Sequence, residues 1–210
     1  MSAPPDNATP RAQLPLFPLQ SVLFPGGLLG LKVFEARYLD LVSACLREGT
    51  PFGVVCLLQG SEVRGGSADK PRFETIGVLA QLLDVDAEQP GILQVQCRGG
   101  RRFSISAPQQ RDDGLWLADA QIWPTEASVP VPPELLPSRE ALSRAIASLD
   151  AQGHAPFVKP HRLDDAGWVA NRWCELLPIS LAAKHKLMAL DEPALRLKLV
   201  DEFLRSKGVV

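Results

Sequence analysis

The chain has 210 residues, of which 46% are hydrophobic and 22% charged, and its formal net charge is −2. A chain of this length and composition forms a globular protein with one large domain or two small ones. The balanced charge argues against a strong nucleic-acid binder, which usually carries a clear basic excess, and no apolar run reaches the roughly 18 residues that span a bilayer.

The first predicted element is a strand that follows a flexible tail. Residues 1–12 lack the basic start and the apolar middle of a secretory signal, so we interpret them as a tail. Residues 14–19 alternate in the manner of a strand. Pro15 and Pro18 confine that strand to an edge or an opening position, because proline has no N–H to donate to a neighbour.

The next segment predicts a turn, a strand and a helix in succession. The Pro-Gly-Gly sequence at residues 25–27 requires a tight turn, because proline fixes φ and glycine accepts positive φ. Residues 28–33 are almost all apolar and predict a buried strand. Residues 35–48 carry apolar side chains at three- and four-residue steps, which predicts a helix that Gly49 ends.

A series of short strands is expected in the middle of the chain. Residues 51–58 predict a central strand buried on both faces, and the glycine- and serine-rich residues 59–72 predict an exposed loop. Turn signals then recur about every ten residues, which indicates an antiparallel barrel or a curled sheet. The strands are expected at residues 73–85, 92–97, 103–107 and 115–123, and the turns at residues 86–91, 99–100 and 112–114.

The final third of the sequence predicts helices. Residues 124–137 contain five prolines and predict a semi-rigid linker. Helices are expected after an N-cap at Ser138, over residues 164–177, after an N-cap at Ser180, and from Asp191 with Pro193 in the first turn. The last helix is expected to bury Leu195, Leu199, Val200 and Phe203.

Three sets of residues together form a family pattern. The first is Leu14-Pro15-Leu16, Pro18-Leu19, Val22-Leu23-Phe24-Pro25-Gly26, Phe34-Glu35 and Arg37-Tyr38. The second is residues 77–80, Gly99, Arg102, Phe103, Ile105, Trp116 and Ala118, and the third is Leu177-Pro178, Lys184, Leu190-Asp191, Pro193 and Arg196-Leu197. This pattern resembles the N-terminal, substrate-binding domain of the Lon protease family, which also occurs as free-standing proteins and in cereblon. The resemblance covers roughly residues 13–206.

The resemblance implies an α+β fold. Its N-terminal part is expected to be an antiparallel PUA-like pseudo-barrel with one inserted helix, and its C-terminal part a bundle of about four helices. Combined with the composition shifts, this gives four regions: a flexible tail at residues 1–12, a β-rich subdomain at 13–123, a Pro-rich linker at 124–137 and a helical subdomain at 138–207.

The resemblance also implies a function in recognising proteins. In the resembling domains the surface of the barrel and the helical subdomain binds substrate, so we expect a non-catalytic module that binds unfolded or extended polypeptide, or an adaptor. Its partners are then protein or polypeptide segments, and its oligomeric state stays open. The scattered cysteines, without a need for disulfides, indicate the cytoplasm as its compartment. The candidate partner-binding residues are Phe24, Pro25, Gly26, Phe34, Glu35, Arg37, Tyr38, Trp123 and Trp168, together with the loop at residues 59–72.

Glu35 and Arg37 have a structural interpretation beside the functional one, and we favour it. A carboxylate at position 35 stabilises a helix N-terminus, and Arg37 in an ion pair would hold that helix to the barrel.

Catalytic and metal-binding patterns are not expected to contribute. The sequence contains no nucleophile-elbow, Walker A or zinc-protease motif, and neither the ATPase module nor the serine–lysine protease domain of full-length Lon. Ser180 and Lys184 imitate such a dyad, but Ser180 lies where a helix cap belongs. We therefore expect no enzyme activity, no cofactor and no metal site. The three histidines have no cysteine or carboxylate at the spacing of a zinc site. Asp84, Asp86 and Glu88 alternate toward a turn and could share a strand face as a weak cation site, but we favour solvated acids at the end of a hairpin.

The alternative function is that of a PUA-like RNA- or small-ligand-binding protein. Its support is the basic cluster of Arg98, Arg101 and Arg102, although such a cluster beside two glycines is more typical of a solvated hairpin. The four cysteines are scattered without a C-x-x-C pair, and we expect them to be free residues of the core.

Overall fold

The computed structural model describes residues 9–60 and 71–210. The chain divides into two compact units, of which the first ends at Thr125 and the second begins at Glu126. Residues 1–8 of the predicted tail and residues 61–70 of the predicted loop lie outside the described residues. The last four residues of the predicted tail, 9–12, are the beginning of the first strand instead.

The first unit is a six-stranded sheet with one helix. Its elements in chain order are β1 (Thr9–Leu19), β2 (Leu28–Val33), α1 (Ala36–Glu48), β3 (Phe52–Gln59), β4 (Arg72–Gln89), β5 (Ile92–Gln110) and β6 (Trp116–Ile122). The strand order is β2-β5-β4-β3-β1-β6, and β5 also pairs with β6. Five strands therefore close into a ring, and β2 pairs with the first half of β5, whose second half pairs with β6. The predicted pseudo-barrel with one inserted helix is confirmed.

The sheet is mixed, whereas an antiparallel barrel was predicted. The difference lies in one pair: β1 and β3 run parallel. A parallel pair needs a crossover connection, usually a helix, and α1 lies in the connection that leads from β1 through β2 to β3.

Strand β1 is not an edge strand, so that prediction is wrong. It lies between β3 and β6 and changes partner along its length: the part up to Leu16 pairs with β6, and the part from Leu16 onward pairs with β3. Leu16, where the two parts meet, is in register with both Gly53 of β3 and Trp116 of β6. Pro15 lies in the part paired with β6, and Pro18 in the part paired with β3. Each proline thus lies in a part of β1 that pairs with a neighbouring strand on one side only. This explains how a residue without an N–H donor is tolerated at both positions.

Strand β2 is the edge strand, and the prediction that it is buried is wrong. Among the described strands it pairs with β5 alone. Val33 is buried, but Leu28 is 36% exposed and Gly30 and Lys32 are also exposed. An apolar run predicts burial only when neighbours cover both sides of the strand, and β2 has a neighbour on one side.

Two predicted turns are also corrected. Residues 99–100 form no turn, since β5 runs without interruption from Ile92 to Gln110. The turn predicted at residues 86–91 is shorter, because β4 continues to Gln89, which is in register with Ile92. The chain reverses within Pro90 and Gly91, where Gly91 has a φ of 79°.

The core of the ring is apolar, and the predicted central strand β3 is confirmed. The first six residues of β3 are buried. The core cluster consists of Leu14, Leu16, Val55, Leu79, Phe103, Ile105, Ala118, Ala120 and Ile122. All four cysteines are free and buried, as predicted. Burial raises the pKa of Cys97 and of Cys174 to about 12, so neither thiol ionises near neutral pH.

The second unit contains the four predicted helices. They are α2 (Leu136–Ala151), α3 (Ala166–Leu176), α4 (Leu181–Ala189) and α5 (Pro193–Ser206), preceded by a short 3-10 helix at Pro133–Leu135. Ser180 caps α4 as predicted, by accepting a hydrogen bond from the Ala183 amide. Ser138 is not a cap: α2 starts two residues earlier, and the Ser138 hydroxyl donates to Asp201 Oδ1 at 2.7 Å.

Helix α5 buries the predicted face only in part: Val200 is 1% exposed, as predicted, and Phe203 is half-buried. Leu195 and Leu199 are 41% and 42% exposed, whereas Arg196 and Asp201 are buried. The Arg196 guanidinium donates five hydrogen bonds, which is its full capacity. Their acceptors are both carboxylate oxygens of Glu126, the Asn171 side chain and the carbonyl oxygens of Leu187 and Leu190. The helix therefore turns its charged side chains inward because the second unit supplies partners for them.

Candidate functional site

The candidate site is the β2 edge, by which we mean strand β2 together with Phe34. Seven of the predicted partner-binding residues flank this strand: Phe24, Pro25 and Gly26 precede it, and Phe34, Glu35, Arg37 and Tyr38 follow it. The structure therefore places these seven around one exposed strand of the first unit.

The turn before β2 is fixed by backbone hydrogen bonds. The Gly27 amide donates to the Phe24 carbonyl at 2.9 Å, and Gly26 has a φ of 72°. Proline at the second position and a positive φ at the third are typical of a type II turn, so the predicted tight turn is confirmed. Phe24 is fully buried and anchors the turn, while Pro25 and Gly26 are half-buried.

The same turn fixes which backbone groups of β2 face its neighbour. The Gly99 amide donates to the Gly27 carbonyl and the Gly26 amide donates to the Gly99 carbonyl, both at 2.8 Å, so Gly26 and Gly27 together lie opposite Gly99 and the Gly27 carbonyl points at β5. Counted from Gly27, every second residue of β2 then forms a hydrogen-bonded pair with β5. Such pairs alternate along an antiparallel ladder, and the register places Leu29 opposite Cys97 and Leu31 opposite Val95. Leu29, Leu31 and Val33 therefore point their N–H and C=O groups at β5. The corresponding groups of Leu28, Gly30 and Lys32 point away from the sheet.

The two faces of the β2 edge differ in chemistry. On one face Leu29, Leu31 and Val33 lie opposite Cys97, Val95 and Leu93, so this face is apolar. On the other, Leu28, Gly30 and Lys32 lie opposite Arg98, Gln96 and Gln94, so this face is polar and its charges are positive. Leu29, Leu31 and Leu93 are half-buried, which leaves an apolar margin along the open side.

The residues after β2 combine one exposed ring with a buried anchor. Phe34 is 52% exposed. Arg37 pairs with Glu35 at 3.0 Å and donates from Nη1 to the Gly114 carbonyl at 2.7 Å. Its guanidinium also lies 4.5 Å from the centre of the Tyr38 ring. The expected ion pair is present, and the hydrogen bond to Gly114 ties the start of α1 to the turn between β5 and β6.

The predicted tryptophans belong to different units. Trp123 is 1% exposed, and the Arg102 guanidinium lies 4.8 Å from its ring. Trp168 is 8% exposed and packs against the rings of Phe157 and His161. Both side chains are thus buried, and Phe34 presents more aromatic surface than either of them.

The basic cluster does not form one surface. Arg98 and Arg101 are exposed, but Arg102 is 3% exposed and lies against Trp123. Because residues 99–100 continue β5 instead of forming a turn, the expected solvated hairpin is absent at this position. Two exposed arginines remain as support for RNA binding.

A pocket of about 560 Å³ lies between α1, β1, β6 and the turn that precedes β6. Its charged lining residues are Arg37, Asp40, Arg47, Arg111 and Asp113. Arg37 pairs with Glu35, Arg47 with Glu48 and Arg111 with Asp113. The three guanidinium groups are thus already paired within the protein, which disfavours this pocket as a site for an anionic ligand.

Ser180 and Lys184, whose spacing is similar to that of a serine–lysine dyad, both have structural roles. The Ser180 hydroxyl caps α4, and the Lys184 ammonium donates to the Glu175 carbonyl at 3.2 Å. His185 is buried and His154 is exposed. Within residues 9–60 and 71–210, no three His, Cys, Asp or Glu side chains are grouped as metal ligands would be.

Two features of the structure were not predicted from the sequence. The open edge of β2 was missed because its apolar run was interpreted as burial, although Gly30 and Lys32 interrupt that run. The partners of Arg196 were missed because Glu126 lies in the Pro-rich segment, far away in sequence. A lysine within an apolar strand is the one local signal that indicated an edge.

Comparison with known proteins shows which family and which fold this chain resembles. Residues 13–206 match the model of the ATP-dependent protease La (LON) substrate-binding domain. A Lon N-terminal domain protein from Xanthomonas campestris is 34% identical, with a TM-score of 0.73, and the match covers 90% of this chain and 97% of that one. The N-terminal domain of a Mycobacterium avium complex Lon protease is 17% identical, with a TM-score of 0.64 over 90% and 96% of the two chains, and shares the fold. No curated protein matches. In the described residues, no helix is long and apolar enough to cross a membrane.

Proposed function

The chain belongs to the Lon substrate-binding domain family, and on that premise we propose that it is a non-catalytic module that binds unfolded or extended polypeptide. We place its activity in the cytoplasm, where unfolded chains arise during synthesis and damage. The surface that we assign to this function is the β2 edge, with the turn at residues 25–27 beside it. Glu35, Arg37 and Tyr38 hold that surface in place.

The observation that carries the proposal is the exposed apolar surface at the β2 edge. Leu28, on the polar face, and Phe34, just beyond the end of the strand, are 36% and 52% exposed, and Leu29 and Leu31 on the apolar face are half-buried. An unfolded polypeptide presents apolar side chains that such a surface removes from water, and each fully buried large side chain contributes about 1.5–3 kcal/mol. Single exposed apolar residues are ordinary, but here they adjoin a strand with an open side.

The test measures binding of a permanently unfolded, labelled protein by fluorescence anisotropy. We expect micromolar affinity for the wild type and a loss of about tenfold for Phe34→Ser, since one large apolar contact is worth more than 1.4 kcal/mol. Leu46→Ser is the matched control, because Leu46 is 61% exposed on α1, away from the β2 edge.

Three outcomes would count against the proposal. No binding of unfolded protein by the wild type rules out the function, and equal losses in Phe34→Ser and Leu46→Ser rule out the assigned surface. Binding to one folded partner but not to unfolded chains would support the adaptor role instead. The alternative as an RNA- or small-ligand-binding protein has weaker support, because Arg102 is buried and the pocket beside α1 has paired charges.

A further inference from the structure

We propose that the β2 edge binds its polypeptide by strand addition: an extended segment pairs with β2 as a further strand, places alternate apolar side chains beside Leu29 and Leu31, and places an acidic side chain opposite Lys32. This inference rests on the proposed function and names the mode and the sequence class that the same site would select. Strand addition is one of the ways in which folded domains capture extended chains.

The backbone of β2 provides the pairing groups. The hydrogen bond from the Gly99 amide to the Gly27 carbonyl sets the alternation, so that the N–H and C=O groups of Leu28, Gly30 and Lys32 point away from β5. In the described part of the chain no other strand pairs with them. Three donors and three acceptors are therefore presented in one line to an incoming strand.

Proteins normally protect such an edge, and β2 has little protection. The usual devices are prolines, bulges, several charges or a covering element. Strand β2 contains no proline, its register with β5 runs without a shift from Leu28 to Val33, and its single charge is Lys32. The edge is thus regular enough to accept a partner strand.

The side chains define which segment fits. A strand added to β2 has alternate residues on the apolar face beside Leu29 and Leu31, where apolar side chains extend the covered surface. Its other residues lie on the face of Gly30 and Lys32. A Cβ on Gly30 would have nothing within 4 Å, so a large side chain fits opposite this position.

The charge at the edge favours an acidic residue. Lys32 has no ion-pair partner among the described residues, and Arg98 lies on the same face opposite Leu28. The acids Asp84 and Asp86 lie on β4, two strands further in, with Gln96 and Gln94 of β5 between them and β2. An added strand is about 14 Å from those acids, which is beyond the screening length at physiological salt.

A second copy of this chain fits less well than a foreign segment. Two antiparallel registers pair most of β2 with the β2 of a second copy. In one of them the second Lys32 lies opposite Leu28, on the same face as Arg98. In the other it lies opposite Gly30, next to the first Lys32. Like charges at such positions destabilise a strand pair. An acidic segment has the opposite effect.

The experiment uses the full chain and three labelled peptides of about eight residues, long enough to span β2. The acidic peptide alternates valine and threonine, with aspartate at one threonine position, and the basic peptide has lysine there. The third is the acidic peptide with N-methyl groups on alternate amides, which removes its donors on one edge. For the wild type we expect binding of the acidic peptide, weaker binding of the basic one, and a loss of about tenfold on N-methylation.

Matched variants at one position separate the backbone from the side chain. Gly30→Pro replaces the outward N–H by a ring carbon, which an edge strand tolerates when that group faces away from the sheet. Gly30→Ala keeps the N–H. We expect Gly30→Pro to bind the acidic peptide about tenfold or more weakly than Gly30→Ala does, and Lys32→Glu to reverse the preference between acidic and basic peptides.

The proposal is overturned if the N-methylated peptide binds the wild type as tightly as its parent, a comparison that does not depend on the folding of any variant. It is also overturned if a well-folded Gly30→Pro binds the acidic peptide like the wild type. Concentration-dependent dimers that Gly30→Pro abolishes would assign the edge to a second copy instead. If strand addition fails while unfolded protein still binds through Phe34, the proposed function stands without it.

Discussion

Gly99 donates its backbone N–H to the carbonyl oxygen of Gly27 at 2.8 Å, which joins the turn before β2 to the middle of β5. The backbones approach this closely because Gly99 has no side chain: a Cβ there would collide with the Phe24 carbonyl oxygen. The pair holds the turn in position and sets the hydrogen-bond phase of β2, on which the strand-addition proposal depends.

Gly99→Ala is therefore expected to destabilise the protein by about 1–3 kcal/mol, the usual cost of forcing extra atoms into a closely packed site. Urea denaturation measures the change. Gly30→Ala is the control, because the space around Gly30 is open. Equal stability of the two variants would show that the turn can shift at no cost.

Arg37→Ala is expected to lower stability by about 2–3 kcal/mol, because it removes the buried links to Glu35 and Gly114. Thermal denaturation monitors the loss, with Arg47→Ala as control, since Arg47 lies on the same helix and is 71% exposed. At a temperature where the variant is folded, unfolded protein should bind as before. Lost binding with an unchanged melting temperature would instead make Arg37 a contact residue.

Arg196→Lys is expected to cost about 3 kcal/mol or more, because lysine has three donors for the five acceptors around Arg196, and Glu126 loses its bidentate partner. The control is Arg162→Lys, since the Arg162 guanidinium is 54% exposed and pairs with Asp165 in the same unit. Chemical denaturation of both variants measures the difference. A cost no larger than that of the control would show that the second unit does not depend on this network.

The contribution of Glu175 to the stability of the protein is expected to fall as the pH rises from about 4.5 to about 7. Burial raises the pKa of Glu175 from 4.5 to about 7, while Arg172 and Lys184 oppose the shift. In this window the folded state holds a proton that the unfolded state has released, so rising pH favours unfolding. The contribution is fully present below pH 4.5 and is lost through pH 7, to a total of up to about 3 kcal/mol.

Glu175→Gln tests this dependence, because glutamine cannot ionise but can still accept the hydrogen bond from Arg172. Free energies of unfolding at pH 5, 6, 7 and 8 should be flatter for the variant than for the wild type. Glu48→Gln, at a carboxylate that is 56% exposed, should leave the slope unchanged. Parallel curves for Glu175→Gln and the wild type would contradict the assignment.

Local features of the fold were predictable from the sequence. The turn at residues 25–27, the cap at Ser180 and the end of α1 at Gly49 depend on φ preferences and on hydrogen bonds between near neighbours. The central position of β3 followed from its continuous apolar run. The family pattern of the three residue sets was likewise readable, because it consists of side-chain identities and spacings.

Features that depend on distant partners were not predictable. Two adjacent glycines at residues 99–100 are typical of a turn, but Gly99 lies within a strand, where the Phe24 backbone beside it leaves no room for a side chain. The helical spacing of Leu195 and Leu199 is typical of core residues, but both are exposed. Arg196 is buried instead, because separate segments of the chain supply its acceptors. In both cases the residue type is compatible with two environments, and the neighbour that selects one of them is far away in sequence.

The sequence by itself determined the family, the barrel followed by helices, and the residues around which the candidate site is built. Only the tertiary structure decided that β1 is enclosed and β2 is open, which reverses the predicted exposure of the two strands. The reason is physical: the sequence of a strand encodes its faces through alternation, but its two edges are satisfied by backbone groups that every residue carries. Which edge remains open depends on how the strands are ordered, and no single strand contains that information.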